Sequence, residues 1–227
     1  MNGVSMEERF LIEKNRRFIE HKQGFPWKIA FANRSFRAFV TAFFCSQWGN
    51  YFFIAWMPVY LQEGRHFSEN GMKMFTSYFF IIGTVGAMFA GFLSDWLVQR
   101  KGLRFGRRFL AMLGLAMLAL SIYIAAVTAS NNVVVISIFL GGFFFSSSNG
   151  TIFFSTCVDI GGSRTGTVAG IMNFFGQTGA FVLAITFGKV ADITHSFNTP
   201  MLVLSGILIF GSFLGIFVDP TKPLIPE

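Results

Sequence analysis

The chain has 227 residues, of which 53% are hydrophobic, 13% are charged and 32 are Phe. Soluble domains carry about 25% charged residues, and disordered chains combine high charge with few aromatic residues. The composition therefore excludes both classes and predicts an integral membrane protein. The two Cys residues show no CxxC or Cys/His spacing, so we expect no metal site and no cofactor.

Six stretches are long and apolar enough to cross a bilayer, which takes about 20 apolar residues each. None of them contains an Asp, Glu, Lys, Arg or His, and in chain order they are 38–61, 74–93, 109–128, 133–155, 166–188 and 199–218. Each must be a helix, because the hydrocarbon core offers no hydrogen-bond partner to an open backbone. The sequence thus predicts an all-α, integral membrane six-helix bundle over 38–218, preceded by residues 1–37 and followed by a tail, 219–227.

The net charge of +7 is distributed unevenly about these spans. Fifteen of the 18 Lys and Arg residues precede span one, lie in the predicted break from Arg100 to Arg108, or follow spans four and six. By the positive-inside rule, both termini are cytoplasmic in a multi-pass protein of the cell (inner) membrane. The basic excess is therefore a topology signal, and no soluble domain remains that would bind nucleic acid.

Residues 1–37 carry one pattern of their own. Ser5 to Glu8 fits a capping box, and apolar residues recur at helical spacing across 6–22. This favours a short cytoplasmic amphipathic helix at the membrane surface. A solvated linker is an equal alternative.

Neutral polar side chains interrupt three of the spans, in pairs three or four residues apart. The pairs are Gln47 and Asn50 in span one, Ser146 and Asn149 in span four, and Asn173 and Gln177 in span five. Amide groups donate and accept hydrogen bonds, which suits the hydroxyls and carboxylates of a small polar substrate, so we predict a substrate-binding cavity at these residues. The alternative is that they serve helix–helix packing alone. The nearby aromatic residues are interpreted as lipid or interface anchors: Trp48, Tyr51, Trp56 and Tyr60.

The spans hold no ionisable side chain of the kind that proton relays and voltage sensors require. An intramembrane serine protease would need a His base, and all three His residues lie outside the spans. We therefore predict neither an enzyme nor a channel. Spans one to three and four to six form two triplets, each with a polar interruption in its first helix, which indicates an inverted repeat.

The break after span two resembles the loop signature of the major facilitator superfamily, G-x-x-x-D-[RK]-x-G-R-[RK]. Trp96 replaces its first basic residue, and several residues intervene. The matching residues are Gly91, Asp95, Arg100, Lys101, Gly102, Gly106, Arg107 and Arg108, and Arg104 lies within the same run. Three further segments, Val4 to Lys28, Tyr51 to Leu61 and Gly166 to Gly179, resemble the central loop, seventh helix and eleventh helix of the anion:cation symporter family. Hexuronate and galactonate transporters and sialin are members of that family.

The resemblance implies that the chain is the C-terminal half, helices seven to twelve, of such a transporter, with residues 1–37 as a remnant of the inter-domain loop. It implies proton symport of a small organic anion, such as a sugar acid, by alternating access. The proton-coupling acids and the substrate-gripping Arg would lie in a missing N-terminal six-helix half. Gln47, Asn173 and the segment from Ser146 to Asn149 would contact the substrate.

The resemblance also implies roles for the loop signature. Asp95 would dock onto a helix N-terminus of the missing half, where the helix dipole favours an anion. Arg104, Arg107 and Arg108 would either lock neighbouring loops or fix topology. Three other readings of the whole chain stay open: a transport-inactive fragment or gene relic, one chain of a split transporter, and a homodimer of this half.

Overall fold

The computed structural model describes residues 5–6 and 25–224, with the backbone alone at residues 148–150. This part of the chain is helical throughout and contains no β-strand, which confirms the predicted fold class. The predicted surface helix over 6–22 lies outside the described residues except for Met6, and so do residues 225–227 of the tail. Within the predicted N-terminal segment, a short helix, α1, spans Trp27–Ala32.

Six helical rods follow α1 in the described chain. The first is α2 (Arg34–Tyr51), which continues through a π-helix (Phe52–Trp56), one α-turn (Met57–Val59) and a second π-helix (Tyr60–Gly64). The second and third are α3 (Glu69–Lys101) and α4 (Leu103–Val127). The fourth is α5 (Asn131–Ser146), joined to α6 (Phe154–Gly161) by a π-helix (Ser147–Phe153). The last two are α7 (Thr165–Thr194) and α8 (Asn198–Leu214).

Four stretches of the described chain are long and apolar enough to cross a membrane: Glu69–Lys101, Leu103–Val127, Asn131–Thr194 and Asn198–Phe217. The third contains two predicted spans, 133–155 and 166–188, because it runs through the 3-10 turn Gly162–Arg164. The first predicted span, 38–61, is not among the four. Its α-helical part, α2, has 18 residues that include Arg34 and Arg37, and much of the rest is π-helical.

The helix ends follow local chemistry. The side chain of Asn33 caps α2 by accepting hydrogen bonds from the backbone N–H groups of Ser35 at 2.9 Å and Phe36 at 3.3 Å. The predicted break from Arg100 to Arg108 is reduced to one residue, Gly102, whose φ of +82° lets the chain turn from α3 into α4. The basic residues on either side are helical, so this expectation of a loop was wrong.

The core forms around α2, which lies between α7 and α8, while α4 packs between α5 and α8 and α3 packs against α5. Fully buried aromatic residues line α2 and its π-helical continuation: Phe36, Phe39, Phe43, Phe52, Phe53 and Tyr60. By contrast, 22% of the most apolar window of α3 is buried, against 50% for α4. A large apolar face of α3 is thus left for lipid or for another apolar protein surface.

Candidate substrate-binding region

Two glycines let α7 approach α2 closely, and this contact positions the polar residues of both helices. A Cβ atom on Gly176 would lie 2.5 Å from Cε1 of Phe43, and one on Gly179 would lie 2.5 Å from the backbone oxygen of Phe44. Gln47 lies at the same level, since its Cγ would be 3.0 Å from the Cβ of Gly176, and only 4% of its surface is exposed. Helices α2 and α7 therefore pack closely at the level of Gln47.

Four polar side chains gather beside this contact, and we call them the polar cluster: Gln47, Asn50, Tyr51 and Gln177. Asn50 donates from Nδ2 to Oε1 of Gln47 at 3.5 Å, and Tyr51 donates from its hydroxyl to Oε1 of Gln177 at 3.4 Å. Both contacts lie near the upper limit of hydrogen-bond distance, so they are weak. The structure thus brings Gln177 of span five to the predicted pair of span one, whereas Asn173 is not part of this cluster.

Tyr51 belongs to this cluster although the sequence interpretation assigned it to the lipid interface. Its hydroxyl bridges α2 to α7 through Gln177. One signal was present in the sequence: Tyr51 follows Gln47 by four residues, which places both on one helix face. An aromatic ring with a polar tip is equally expected at an interface, so the spacing alone did not decide the role.

Asn173 lies one turn before Gln177 on α7. Its side chain is half-buried and donates from Nδ2 to the carbonyl of Ala169 at 3.0 Å, within its own helix. On the same stripe, a Cβ atom on Gly166 or Gly170 would meet nothing within 4 Å. Asn173 therefore lies on a face of α7 that the described chain leaves open.

The predicted pair in span four has a different environment. Ser146 lies against α3, since a Cβ atom on Gly83 would be 2.6 Å from its Oγ. Its neighbour Ser147 donates to the carbonyls of Gly86 at 2.9 Å and Phe143 at 2.7 Å. These contacts are helix packing, and the structure does not bring Ser146 to the polar cluster. The side chain of Asn149 lies outside the described part.

A π-helical segment follows the predicted polar residues of span one, and another overlaps those of span four. Phe52–Trp56 directly follows Asn50 and Tyr51, and Ser147–Phe153 directly follows Ser146. The two rods touch through aromatic pairs, with ring centroids 5.2 Å apart for Phe43 and Phe153. π-helical turns are uncommon and concentrate at functional sites, because they break the regular backbone hydrogen-bond ladder.

In the loop signature, Asp95 is exposed, whereas Arg107 turns towards the protein. Asp95 is exposed and forms no hydrogen bond or ion pair with the residues that the structure describes, and a Cβ on Gly91 would meet nothing within 4 Å. Arg107 donates from Nε to Oδ2 of Asp159 at 3.1 Å and from Nη1 to Oγ of Ser94 at 2.5 Å. This arginine therefore ties α4 to α6 and to α3.

The other two predicted arginines reach towards residues 218–224. Arg108 donates from Nε and Nη2 to the carbonyl of Val218 at 3.1 and 2.9 Å. Arg104 is 58% exposed, and its Nε lies 3.7 Å from Oδ2 of Asp219. Arg107 and Arg108 thus lock neighbouring segments, and the sequence had left this role open beside topology. It gave no sign of the partners Asp159 and Asp219.

The segment 218–224 lies across the same end of the bundle. The backbone N–H of Asp219 donates to Oγ of Ser35 at 2.7 Å, and that of Leu224 donates to the carbonyl of Ile160 at 2.9 Å. The Thr221 hydroxyl donates to Oδ1 of Asp219 at 2.6 Å. This hydrogen bond is the largest cause that holds the pKa of Asp219 below its ordinary value, against the opposing effect of burial.

Comparison with known proteins shows relatives that are transporters by name. The chain is 32% identical over 201 residues to a probable sulfoacetate transporter, SauU, of Cupriavidus necator, covering 88% of this chain and 46% of that protein. It is 30% identical over 184 residues to the hexuronate transporter of Bacillus subtilis, covering 79% and 43%. It is 26% identical over 188 residues to a probable galactarate/D-glucarate transporter, GudP, of Escherichia coli, covering 78% and 41%.

The chain therefore spans less than half the length of these relatives. The profile of the Major Facilitator Superfamily matches residues 4–184, which is well over half of the chain. The family and the relatives are membrane transporters rather than enzymes, as predicted. The helical bundle, its apolar rods and this match agree: the chain is a multi-pass membrane protein that belongs to the Major Facilitator Superfamily.

Proposed function

We propose that the chain forms the C-terminal six-helix half of a transporter that carries a small organic anion, of the sugar-acid class, by proton symport. The observation that carries the proposal is the polar cluster between α2 and α7, set among spans without a charged residue. Relatives named for sulfoacetate, hexuronate and galactarate/D-glucarate support the class of anion. We place the protein in the cell (inner) membrane with both termini cytoplasmic, because of the distribution of Lys and Arg.

The polar cluster is suited to bind the hydroxyl groups of the substrate rather than its carboxylate. Amide and phenol groups bind hydroxyls well, whereas a carboxylate in an apolar setting needs a positive charge. The predicted spans contain no Lys, Arg or His. The charge of the substrate and the coupling proton are therefore handled by residues of a second, N-terminal half.

The second half is also required by the transport cycle. Alternating access moves two bundles about one central site. The open stripe of α7 at Gly166 and Gly170, the apolar face of α3 between Met74 and Phe92, and the exposed Asp95 are the surfaces that such a half would cover. In this arrangement residues 1–37 connect the two halves.

The test of the site is uptake of labelled glucuronate into cells that carry the complete transporter. Gln47→Ala and Asn173→Ala each lower uptake with no change in the amount of protein inserted in the membrane. Thr178→Ala is the matched control, since the Thr178 hydroxyl is exposed and donates to its own helix at Phe174. Normal uptake by both amide variants would remove these residues from the pocket.

The half-transporter proposal has a separate test, the size of the native product in isolated membranes. An antibody to residues 219–227 detects a band about twice the size of this chain if two six-helix halves are joined. A band near 25.3 kDa would contradict a joined transporter. Co-purification would then distinguish a split transporter, which has a second chain, from a homodimer or a transport-inactive fragment or relic.

A further inference from the structure

The basic residues around Gly102 point in two directions. Arg107 and Arg108 turn inward and are bound by protein groups. Arg100, Lys101 and Arg104 are exposed. The inward pair is explained by the fold, whereas Arg104 has only a long ion pair with Asp219, and Arg100 and Lys101 have no ion pair with the described residues.

Two outward cations lie over exposed aromatic rings. The Arg100 guanidinium carbon is 4.8 Å from the ring centroid of Trp96, and the Lys101 ammonium is 4.9 Å from that of Phe105. Phe105 in turn stacks on Phe109 at 5.3 Å. The rings of Trp96, Phe105 and Phe109 remain 48%, 42% and 43% exposed. We call Trp96, Arg100, Lys101, Arg104, Phe105 and Phe109 the cation–aromatic patch.

The described protein supplies little negative charge to this patch. Arg100 and Lys101 pair with no carboxylate of the described residues, and Arg104 reaches Asp219 only at 3.7 Å. Asp95 precedes Arg100 by five residues, which turns the two side chains about 140° apart around α3. No carboxylate of the described residues therefore offsets the charges of Arg100 and Lys101, and the patch is a net positive surface.

We propose that the cation–aromatic patch binds the headgroup of an anionic phospholipid. The patch lies where α3 ends and α4 begins, and both helices are long and apolar enough to cross a membrane. Its cations therefore lie at the edge of the hydrocarbon layer, beside aromatic rings of the kind that occupy membrane interfaces. Basic clusters directly flanking membrane helices attract anionic lipids. The bound phosphate would bridge Arg100 and Lys101, while Trp96 and Phe109 contact the acyl chains.

This site differs in kind from the polar cluster. It recognises a phosphate at the bilayer surface and holds α3 to α4 across the one-residue break at Gly102. The choice of a lipid rather than a free phosphate rests on the exposed rings, because a soluble anion would gain nothing from apolar contact with them.

The experiment is a lipid titration of the purified chain in neutral detergent. The readout is the midpoint temperature of thermal unfolding at each lipid concentration. Phosphatidylglycerol raises the midpoint more than phosphatidylcholine does. Arg100→Gln/Lys101→Gln weakens the apparent affinity for phosphatidylglycerol roughly thirtyfold, since each cation near an anionic surface contributes about fivefold. Lys73→Gln is the control, because Lys73 is an exposed cation at the opposite end of the same helix, and it keeps the wild-type response.

Two further arms decide between sources of the phosphate. Glycerol phosphate at the same concentration leaves the midpoint unchanged, and an equal rise would overturn the lipid assignment. Raising the salt concentration weakens the lipid response of the wild type, because exposed charges are screened. The charge-preserving variant Arg100→Lys/Lys101→Arg retains the response. If Arg100→Gln/Lys101→Gln does not fold, Arg104→Gln replaces it in the titration and loses part of the response to phosphatidylglycerol. An unchanged response in every neutral variant would refute the proposal.

Discussion

Arg107 and Asp159 form an ion pair that joins α4 to α6, with Nε of the guanidinium 3.1 Å from Oδ2 of the carboxylate. The two side chains are only 15% and 19% exposed. A further guanidinium nitrogen of Arg107 donates to Ser94 on α3. Arg107 therefore connects three helices, α3, α4 and α6. Because the ion pair is partly enclosed, salt screens it less than it would screen a surface pair.

Removing the charge of Arg107 is expected to destabilise the bundle. Arg107→Gln lowers the free energy of unfolding by about 1–3 kcal/mol, because Asp159 is left without its charged partner. Thermal or denaturant unfolding in detergent measures the loss. Arg104→Gln is the control, since that side chain is 58% exposed and its pair with Asp219 is long, and it changes stability by less than about 1 kcal/mol. Equal losses in the two variants would contradict this role of Arg107.

The carboxylate of Asp219 is expected to lose its contribution to stability in acid. The folded protein holds the pKa of Asp219 below the unfolded value of 3.8, so its carboxylate stabilises the fold fully above that pH. The contribution is lost as the pH falls through the folded pKa, when the carboxylate is protonated. Asp219→Asn therefore lowers the thermal midpoint at pH 6, and the difference from wild type shrinks as the pH falls below about 4. A difference that stays constant with pH would exclude this titration.

Five of the six predicted spans lie in stretches of the described chain that are long and apolar enough to cross a membrane, because about 20 consecutive apolar residues without charge have one stable form in a bilayer. Helix ends were less predictable. The run from Arg100 to Arg108 was expected to be a loop because it is charged, yet Arg and Lys are good helix formers. Only Gly102 leaves the helical conformation. The charged run therefore did not mark the end of the helix.

The candidate site was predictable only in part. The spacing of Gln47 and Asn50 placed them on one face, but no single sequence reveals which helix that face contacts. Gly176 and Gly179 set this contact through close approach to α2. The contacts between Ser146 and α3 were likewise hidden, since a serine packs against a glycine as readily as it lines a cavity.

The close approach of α2 and α7 makes two glycines intolerant of substitution. Gly179→Ala destabilises the protein, because its Cβ would lie 2.5 Å from a backbone oxygen that cannot move aside cheaply. Gly170→Ala is the matched control on the same helix, and it is neutral or stabilising by up to about 1 kcal/mol, since Ala favours a helix. Unfolding midpoints of the two variants in detergent provide the comparison. A stable Gly179→Ala variant would show that α2 and α7 pack less closely.

Tyr51 provides the last prediction, which rests on the proposed transport function. Tyr51→Phe removes the hydroxyl that donates to Gln177 and leaves the ring in place. We expect the KM for sugar-acid uptake by the complete transporter to rise about fivefold, because one hydrogen bond contributes about 1 kcal/mol. The thermal midpoint hardly changes, since the contact with Gln177 is long and exposed. Tyr123→Phe is the control, because that side chain is 48% exposed on α4, and its uptake stays normal. An unchanged KM for Tyr51→Phe would return Tyr51 to the role of an interface anchor and leave the amides as the whole of the polar cluster.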